Sequence, residues 1–415
     1  MIELNSLNKN FSATRILHKL LSKEYLDENG RIKSELKFKI DLPLFNLQDS
    51  KLIGKPEDVF ETVLFLPEGE QRKIEGGLRT KGYFKFSYKK LSNNGKDDWH
   101  ICDLYGNTIN VVSEDIEQNI NQYVTKLLTD ENKSLSVEEI KELPLVTVIT
   151  VVFNGAKYLE ETIMSVINQD YPNMEYIIID GGSTDSTIDI IHKYEYAIDY
   201  WVSEKDSGIY DAMNKGIKLA MGLWVGILGS DDFYEYKAIN NFILSGVYRH
   251  KSVNVFYGNS NVLFEDKLLY RRMTTSNIKK INSNFIFFHP DSIVQLDAYK
   301  RAGLYDTNFK LASDYEFFLR LYFNGYKLRK ISHFVLNYRL GGFSSNYNLV
   351  FIENLKLFNR YKFKLSPLFL LIMLTVFIKS FIKDVFHLKH DSVILMNYRK
   401  IRNFRNIFCN SCKDK

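Results

Sequence analysis

Cysteine is scarce in this 415-residue chain, where Cys102, Cys409 and Cys412 are the three present. Three cysteines cannot build the disulfide framework of a small secreted domain, so a reducing cytoplasm fits the composition best. Cys409 and Cys412 form a C-x-x-C pair, but tetrahedral zinc needs a second pair and a redox motif needs a βαβ context. We therefore assign this pair no chemistry.

A strong excess of one charge is also missing. The chain has 55 basic and 50 acidic residues, for a net charge of +5. This balance gives no indication of a nucleic-acid partner. Because 45% of the residues are hydrophobic, the chain can bury a large core, and we expect two or three structural units. Residues 1–5 show no basic segment followed by an apolar one, so no secretory signal is visible and the protein is expected inside the cell.

No apolar run reaches the ~20 residues that a membrane-spanning helix requires. The nearest approach is the segment from Pro367 to Ile378, which is followed by Lys379, Lys383 and further basic residues. Such a segment is typical of an interfacial anchor attracted to anionic lipid, and the alternative is a C-terminal helix packed on the core. We favour peripheral contact with the inner face of the cell membrane.

Three apolar, strand-like runs each end in polar and flexible residues. Helical patterns separate them, and strands alternating with helices predict an open α/β sheet with a ligand crevice at its carboxyl edge. The runs are Val146 to Phe153, before Asn154-Gly155; Tyr176 to Ile179, before Asp180-Gly181-Gly182-Ser183; and Leu223 to Leu228, before Gly229-Ser230-Asp231-Asp232. The helical patterns are Ala156 to Asn168 and Thr184 to Tyr194. This arrangement indicates a nucleotide-binding half-domain.

Acidic residues stand at two of these strand ends. Asp180 can accept hydrogen bonds from a nucleotide base or ribose. Asp231 and Asp232 are adjacent and repel each other, and either solvent or a divalent cation can relieve that repulsion. Mg²⁺ or Mn²⁺ would also contact substrate phosphates, whereas a solvated turn is the alternative. The glycines after Asp180 are not spaced as G-x-G-x-x-G, so a nicotinamide cofactor is not indicated.

Other candidate residues each have a structural alternative. Asp211 and Asn214 share one helix face, but capping and solvation are the better explanation on the residues of this window alone. His289 follows an apolar run and could contact an acceptor or pack in the core. Arg339 precedes a flexible turn and could bind a diphosphate through charge-assisted hydrogen bonds, although an ordinary surface turn is nearly as plausible.

The pattern of residues 1–143 predicts secondary structure less clearly than the rest of the chain, and we expect a small α+β unit there. Arg15 to Leu21 looks helical, and Trp99 to Leu104 with Ile109 to Val112 resembles a hairpin. Between Glu75 and Gly82, glycines stand beside Arg79 and Lys81 and could approach a phosphate, but a basic β-turn is the favoured explanation.

Four ordered motifs resemble those of the family 2 glycosyltransferases of the GT-A fold, particularly the enzymes that build bacterial O-antigen and capsular polysaccharides. The resemblance covers roughly residues 144–345, and the four motifs together are far more specific than any one of them. They are residues 148–155 (VITVVFNG), 179–185 (IDGGSTD), 208–216 (GIYDAMNKG) and 229–232 (GSDD).

The resemblance implies roles for individual residues. Asn154 and Asp180 would lie beside the base and ribose, Asp211 near the donor, and Asp231 and Asp232 on the metal. The family's catalytic acid would correspond to Asp314, with Glu316 as the fallback. The family's D-x-D pattern often has its first acid at the position of Gly229, so the resemblance leaves open which aspartate is the principal ligand.

The expected fold is therefore α/β of the GT-A type, a Rossmann-like mixed sheet flanked by helices, with a small α+β N-terminal unit and a helical C-terminal tail. The expected divisions are residues 1–143 (accessory unit and linker), 144–260 (nucleotide-sugar half), 261–345 (acceptor half) and 346–415 (helical segment at the membrane). The expected activity is inverting, metal-dependent transfer from a nucleotide diphosphate sugar, such as a UDP-sugar, to a glycan or polyprenyl-diphosphate-linked acceptor. The alternative is an inactive sugar-nucleotide-binding scaffold.

Overall fold

The computed structural model describes residues 60, 62–67, 71–93, 96–102, 108–112, 114–130, 140–264, 266–274, 289–341 and 347–361, together with the backbone of residues 18–19. The chain divides into two compact units. The first comprises Met1–Ile278, Phe287–Asn308 and Ser313–Leu340, and the second comprises Lys279–Ile286, Phe309–Ala312 and Gly341–Lys415.

The strands of the described residues all belong to the first unit. They are β1 (His18–Lys19), β2 (Arg72–Gly76), β3 (Tyr83–Phe84), β4 (Ser87–Asn93), β5 (Lys96–Cys102), β6 (Thr108–Val111), β7 (Glu142–Leu143), β8 (Val146–Val152), β9 (Met174–Asp180), β10 (Tyr200–Glu204), β11 (Trp224–Gly229), β12 (Phe233–Tyr234), β13 (Val255–Phe264), β14 (Lys267–Arg272), β15 (Ser292–Gln295) and β16 (Leu328–Arg339).

The α-helices of the described residues number eight, and a π-helical turn over Ile243–Val247 accompanies them. They are α1 (Glu114–Asp130), α2 (Leu159–Ile167), α3 (Thr187–Lys193), α4 (Ile209–Leu219), α5 (Ala238–Phe242), α6 (Leu296–Ala302), α7 (Ser313–Phe323) and α8 (Tyr347–Tyr361).

One ten-stranded mixed sheet forms the core, in the order β12-β16-β13-β15-β11-β8-β9-β10-β2, with β14 paired to β13. Its centre is parallel: β11 pairs with β8, β8 with β9 and β9 with β10. Every residue of β8 and β9 is buried. Parallel strands covered on both faces require continuous apolar runs of this kind, which explains why the sequence pattern located them. The predicted α/β sheet is confirmed.

Helices α2, α3 and α4 follow the parallel strands. Leu159, Ile163 and Val166 are buried in α2, at the spacing that places side chains on one helix face. Helix α4 packs so closely on β8 that a Cβ atom at Gly216 would lie 2.5 Å from Cγ2 of Ile149. Glycine at this position therefore lets the helix approach the sheet.

The remaining strands extend the sheet on the other side of β11. Strand β15 is antiparallel to both β11 and β13, and β13 is parallel to β16. Strand β13 runs across the expected division at residues 260 and 261, so both halves contribute to one continuous sheet. The division into donor and acceptor halves stays a prediction.

The residues before 143 contribute to this sheet and to smaller ones. Strand β2 forms its edge, antiparallel to β10. Strands β6, β5, β4 and β7 form a four-stranded sheet, in which β5 and β6 confirm the predicted hairpin strands. The helix predicted for Arg15 to Leu21 is wrong at His18–Lys19, which pair with Tyr83–Phe84 as strands.

Two buried ion pairs tie the segment after β2 to the central strands. The Arg79 side chain is 1% exposed, and its Nη2 lies 2.5 Å from Oε1 of Glu175. Lys85 Nζ lies 2.7 Å from both carboxylate oxygens of Asp199. Arg79 also donates to the carbonyl oxygens of Leu64 and Leu219. These contacts support the structural explanation of the basic turn rather than phosphate binding.

In the second unit, helix α8 packs on the segment Phe309–Ala312. The buried carboxylate of Glu353 accepts hydrogen bonds from the backbone N–H groups of Lys310, Leu311 and Ala312, at 2.6, 2.8 and 2.9 Å. Helix α8 supplies the expected C-terminal helix, whereas the anchor segment from Pro367 to Ile378 lies outside the described residues. Within the described ranges, no helix is both long and apolar enough to cross a bilayer.

Candidate active site

The loops after β8 and β9 are joined by hydrogen bonds. Asn154 has a positive φ of 50°. Its backbone N–H donates to Oγ of Ser183 at 2.7 Å, and its side-chain oxygen accepts from the Thr184 N–H at 2.9 Å. Gly155 donates in turn to Oγ1 of Thr187 at 3.0 Å. Two adjacent strand ends therefore form one connected rim, and Asn154 is exposed on it.

The buried carboxylate of Asp180 holds the loop after β9 in place. Asp180 ends β9 and is fully buried, and its Oδ2 accepts from the N–H groups of Gly182 and Ser183 at 3.1 and 3.0 Å. Oδ2 also accepts from Ser203 Oγ at 2.6 Å, while Oδ1 accepts from Ser183 Oγ. The carboxylate holds the glycine loop in shape, so contact with a nucleotide would require one of these bonds to be exchanged. Its role in nucleotide binding stays a prediction.

The start of α4 carries further carboxylates. Asp211 Oδ2 accepts from the Ser207 N–H at 2.9 Å, and Lys215 lies 3.7 Å from it one turn later. Asn214 is instead buried and exchanges two hydrogen bonds with the backbone of Tyr305, at 2.9 and 3.0 Å. Asp211 is partly exposed at the carboxyl edge of the sheet, and its role in donor binding stays a prediction. Asn214 instead joins α4 to the segment that contains Tyr305.

Asp231 and Asp232 follow β11 in a tight turn, with Asp232 N–H donating to the Gly229 carbonyl at 3.2 Å. Asp232 Oδ1 accepts from the backbone N–H of Arg339 at 2.9 Å. A Cβ atom at Gly229 would lie 3.0 Å from Oδ1 of Asp231 and 3.5 Å from Oδ2 of Asp232. Both carboxylates therefore converge on the space that glycine leaves open. Which of the two aspartates is the principal ligand stays open.

The electrostatics of this turn fit a divalent cation. Burial raises the pKa of Asp231, and burial together with the neighbouring Asp231 raises the pKa of Asp232 well above its usual range. A cation held by these two residues would offset both effects. In the described part of the chain, no group of three acidic, histidine or cysteine side chains is positioned to hold an ion. One or two carboxylates completed by substrate phosphates are nonetheless a typical Mg²⁺ arrangement.

Arg339 is the last residue of β16 and is 6% exposed. Its guanidinium donates to the Asp231 carbonyl at 2.7 Å, to Asp266 at 2.8 Å and to Glu161. It also lies 4.3 Å from the ring centroid of Tyr158. Three acceptors and a ring already surround this side chain, so the geometry favours positioning of the acidic turn over the predicted contact with a diphosphate.

Asp314 lies in the first turn of α7 and is partly exposed. The hydroxyl of Tyr210, in the first turn of α4, donates to its Oδ1 at 3.0 Å. Glu316 is buried and pairs with Arg320 at 2.8 Å. Between the two candidates, Asp314 can meet an acceptor from solvent, whereas Glu316 already neutralises a cation within its own helix.

Behind Asp314 lies an aromatic cluster. Tyr305 contacts Tyr210, Tyr299 and Phe317, with ring centroids 5.6, 5.8 and 5.2 Å apart. The His289 ring packs edge-on against Tyr305 at 5.9 Å, and burial lowers the pKa of His289 to about 3. His289 is therefore neutral at physiological pH, and its surroundings support the packed alternative.

Sequence reasoning overlooked two aromatic residues at the site. Phe153 is 64% exposed beside Asn154, and a large exposed aromatic ring at a strand end is a candidate partner for a nucleobase. Tyr210 belongs to a recognised motif, but nothing in the sequence indicated its bond to Asp314. The sequence signal for Phe153 was its place as the last apolar residue before the polar turn at Asn154, where a large ring is no longer covered by the sheet.

The chain is an α/β protein with an open sheet, and polar loops follow the carboxyl ends of its parallel strands. Proteins of this class bind their ligands at that edge of the sheet. Comparisons with known proteins narrow this class. The family model described as Glycosyl transferase family 2 matches residues 147–294. An uncharacterized glycosyltransferase of Mycobacterium tuberculosis (strain CDC 1551 / Oshkosh) is 32% identical over 181 residues, which are 43% of this chain and 68% of the relative. The chain belongs to the family 2 glycosyltransferases.

Two further relatives are named as biosynthesis glycosyltransferases. TuaG of Bacillus subtilis (strain 168), named for teichuronic acid biosynthesis, is 44% identical over 93 residues, covering 21% of this chain and 36% of TuaG. A PGL/p-HBAD biosynthesis glycosyltransferase of Mycobacterium bovis (strain BCG / Pasteur 1173P2) is 26% identical over 207 residues, covering 46% of this chain and 75% of that protein. The chain thus spans about a third of TuaG.

Solved structures give a weaker likeness. S. aureus TarS 1-349 in complex with UDP-GlcNAc is 20% identical, with a TM-score of 0.41 over 57% of this chain and 72% of that chain. The mannosyltransferase PcManGT from Pyrobaculum calidifontis, with GDP-Man and Mn²⁺, is 17% identical, with a TM-score of 0.44 over 58% of this chain and 70% of that chain. Roles in this chain are therefore argued from its own residues.

Proposed function

We propose that this chain transfers a sugar from a nucleotide diphosphate sugar to an acceptor hydroxyl, with inversion at the anomeric carbon. The hydrogen bond from Tyr210 to Asp314 carries the proposal. It holds a candidate base against the start of α4, which follows β10 at the edge where β8, β9 and β11 also end. The paired aspartates stand at the end of β11, so base and acidic turn share one edge of the sheet.

The donor would bind on the rim formed by the loops after β8 and β9. Phe153 offers an exposed ring for the base, and Asn154 lies beside it. Asp180 keeps the glycine loop in the shape that this surface requires. We favour a UDP-sugar, and the assignment of the nucleotide rests on the family rather than on a contact in this chain.

Asp231 and Asp232 would hold Mg²⁺ or Mn²⁺ through the two oxygens that converge at Gly229. When bound, the ion would neutralise charge that develops on the departing diphosphate. Arg339 holds the turn through the Asp231 carbonyl and the Asp232 carboxylate, so the turn and the Asp232 carboxylate are held in place by the protein itself. No covalent intermediate with the protein is required.

Asp314 would accept the proton of the acceptor hydroxyl as that oxygen attacks the anomeric carbon and the bond to the diphosphate breaks. Tyr210 donates to Oδ1 of Asp314 and so helps to orient the carboxylate against the start of α4. We infer a glycan or a polyprenyl-diphosphate-linked glycan as acceptor, within bacterial surface polysaccharide synthesis. The support is family membership and the names of the relatives, and we place the reaction in the cytoplasm at the inner membrane face.

The decisive experiment compares Asp314→Asn with Glu316→Gln. Asp314→Asn should lower the turnover rate roughly 10²–10⁴-fold, because a general base contributes that much, while donor affinity stays near normal. Glu316→Gln should alter stability more than rate, because its partner is Arg320. Transfer rate at saturating donor and calorimetric donor affinity are measured for both variants.

Three outcomes would contradict parts of the proposal. Normal turnover in Asp314→Asn with loss in Glu316→Gln would move the base to Glu316. Loss of donor binding in Asp314→Asn would make its role structural. Donor binding without transfer to any glycan acceptor, in the unaltered chain, would favour the sugar-nucleotide-binding scaffold.

A further inference from the structure

A second concave feature lies at the opposite end of the main sheet. Two loops form it, one leading into β13 and the other joining α7 to β16. They enclose a cleft of about 1020 Å³. Since β16 runs from this cleft to Arg339, a strand of its length places the cleft roughly 35 Å from the acidic turn. The cleft is therefore separate from the transfer site, although both belong to the first unit.

The cleft is strongly basic. Its lining includes Arg249, Lys251, Lys327 and Arg329, and none of the described residues that line it is acidic. Lys251 lies 2.6 Å from Glu142, so its charge is partly neutralised. The other three cations are exposed. Burial, followed by the charges of Arg329 and Arg249, lowers the pKa of the adjoining His250.

Aromatic rings line the same cleft. Tyr322 and Tyr326 belong to its wall, and Phe323 beside them is 47% exposed. Gly325, with φ at 79°, makes the turn between them, and a Cβ atom there would meet nothing within 4 Å. Rings that face an open cleft can stack on sugar rings, whose C–H groups are apolar, while guanidinium and ammonium groups bind carboxylate or phosphate.

The cleft is built rather than formed by chance contact of two loose loops. Asn254 accepts from the Lys327 N–H at 3.0 Å through its side chain and donates from its own N–H to the Lys327 carbonyl at 2.8 Å. These bonds fix one loop against the other at the start of two parallel strands. A fixed concave surface suits a linear polymer that lies along it, whereas a bilayer presents a flat surface.

We propose that this basic cleft binds a stretch of anionic glycan at a distance from the transfer site. The inference rests on the proposed function, because it takes the acceptor to be a glycan. A glycan chain long enough to cover roughly 35 Å, about the length of β16, can reach from the acceptor hydroxyl to the cleft. Binding there would keep the acceptor near the enzyme between transfers.

The test uses the full chain and a galacturonic acid hexamer as the probe. The triple variant Arg249→Gln, Lys327→Gln, Arg329→Gln removes three charges from the cleft. A matched variant, Lys193→Gln, Lys267→Gln, Lys356→Gln, removes three charges from exposed positions that do not line the cleft. The cleft variant should bind the hexamer at least roughly tenfold more weakly than the unaltered chain, because charge-assisted contacts are lost. The matched variant should bind within roughly twofold, and binding by the unaltered chain should weaken with salt.

Further probes separate the possible ligands. Maltohexaose, which is neutral, should bind at least roughly tenfold more weakly than the hexamer. A glycerol phosphate oligomer tests whether phosphate replaces carboxylate, and binding that depends on the cleft cations would support the anionic class. Tighter binding of a dodecameric oligothymidylate or of anionic lipid vesicles, lost in the cleft variant, would overturn the glycan assignment. No hexamer binding, or equal binding by both variants, would overturn the site.

A donor measurement separates failure of this inference from failure of the proposed function. Affinity for UDP-sugars with Mn²⁺ is measured in the same three proteins. If all three proteins bind the donor and none binds the glycan, only the assignment of the cleft is contradicted. If the unaltered chain does not bind any UDP-sugar, the proposed function is contradicted, whatever the cleft binds.

Discussion

Tyr210 and Asp314 are 104 positions apart in the chain, yet the tyrosine hydroxyl donates to the carboxylate at 3.0 Å. The bond joins the first turn of α4 to the first turn of α7. Tyr305 supports it through ring contacts with both Tyr210 and Phe317. The candidate base is thus oriented by a residue from a distant part of the chain.

The first prediction concerns Tyr210→Phe, which removes this hydrogen bond and keeps the ring. Turnover should fall roughly ten- to hundredfold, because hydrogen bonds to charged groups contribute about 1.5–3 kcal/mol. Donor affinity and thermal stability should change little. The measurement is transfer rate at saturating donor together with calorimetric donor affinity.

Tyr194→Phe is the matched control for this substitution. Tyr194 is a buried residue just after α3, and its hydroxyl donates at 2.7 Å to a carboxylate oxygen of Glu160, a partly exposed residue on α2. It should leave turnover unchanged. Equal loss in both variants, or loss of donor affinity in Tyr210→Phe, would contradict the positioning role.

The second prediction concerns Asp231→Asn and Asp232→Asn. Each should weaken Mn²⁺ binding in the presence of UDP roughly tenfold or more, since even outer contacts of metal sites are worth that much. Each should also leave stability without metal unchanged or higher, because burial and repulsion disfavour the paired carboxylates. Calorimetry of Mn²⁺ binding and urea unfolding without metal supply the two readouts.

Asp189→Asn, at an exposed position of α3, is the control for charge removal. Mn²⁺ affinity that stays normal in both variants of the acidic turn would sink the metal assignment. A large loss of stability without metal would show instead that the two carboxylates serve the fold.

The central strands were predictable because burial on both faces leaves a continuous apolar run. β8, β9 and β11 are runs of this kind, and their polar ends located the loops of the site. The predicted helices α2 and α3 begin about three residues later than expected. Residues such as Gly155 and Thr184 hydrogen-bond across the two loops, so their backbone groups are engaged outside any helix.

Contacts between distant polar residues could not be predicted. Arg79 and Lys85 are charged, and a charged residue is ordinarily expected at the surface. Their partners Glu175 and Asp199 lie 96 and 114 positions away. These two pairs help to hold strand β2 at the edge of the main sheet. The position of β2 could therefore not be predicted from the sequence either. The convergence of Asp231 and Asp232 on Gly229 depends on side-chain directions that a sequence pattern does not contain.

The third prediction concerns the buried pair of Arg79 and Glu175. Arg79→Met should lower the free energy of unfolding by about 3–5 kcal/mol, because it leaves a buried carboxylate without its cation. Lys193→Met, which removes an exposed pair with Glu160, should leave the free energy of unfolding almost unchanged. Urea unfolding of both variants provides the comparison. A cost below about 1 kcal/mol for Arg79→Met would show that Thr147 and Met221, which also donate to Glu175, suffice.

The last prediction concerns Asp291, a fully buried residue just before β15. It accepts from Ser260 Oγ at 2.8 Å and lies 3.5 Å from Arg272. Burial raises the pKa of Asp291 from 3.8 to about 6, because the opposing effect of Arg272 is smaller. The folded protein therefore holds this proton more tightly than the unfolded chain. Stability from Asp291 is greatest below pH 4 and is lost as the pH rises towards 6.

Asp291→Asn removes the titration while keeping an acceptor for Ser260. The unfolding free energy of the unaltered protein, minus that of the variant, should fall by roughly 2–3 kcal/mol between pH 4 and pH 6.5 and then stay level. His289, whose pKa burial lowers to about 3, gives the opposite slope, but it is present in both proteins and cancels in the difference. Urea unfolding at half-unit pH steps gives the curve, and Asp189→Asn should give a flat one. A difference that rises with pH would mean that Arg272 outweighs burial and that Asp291 is charged throughout this range.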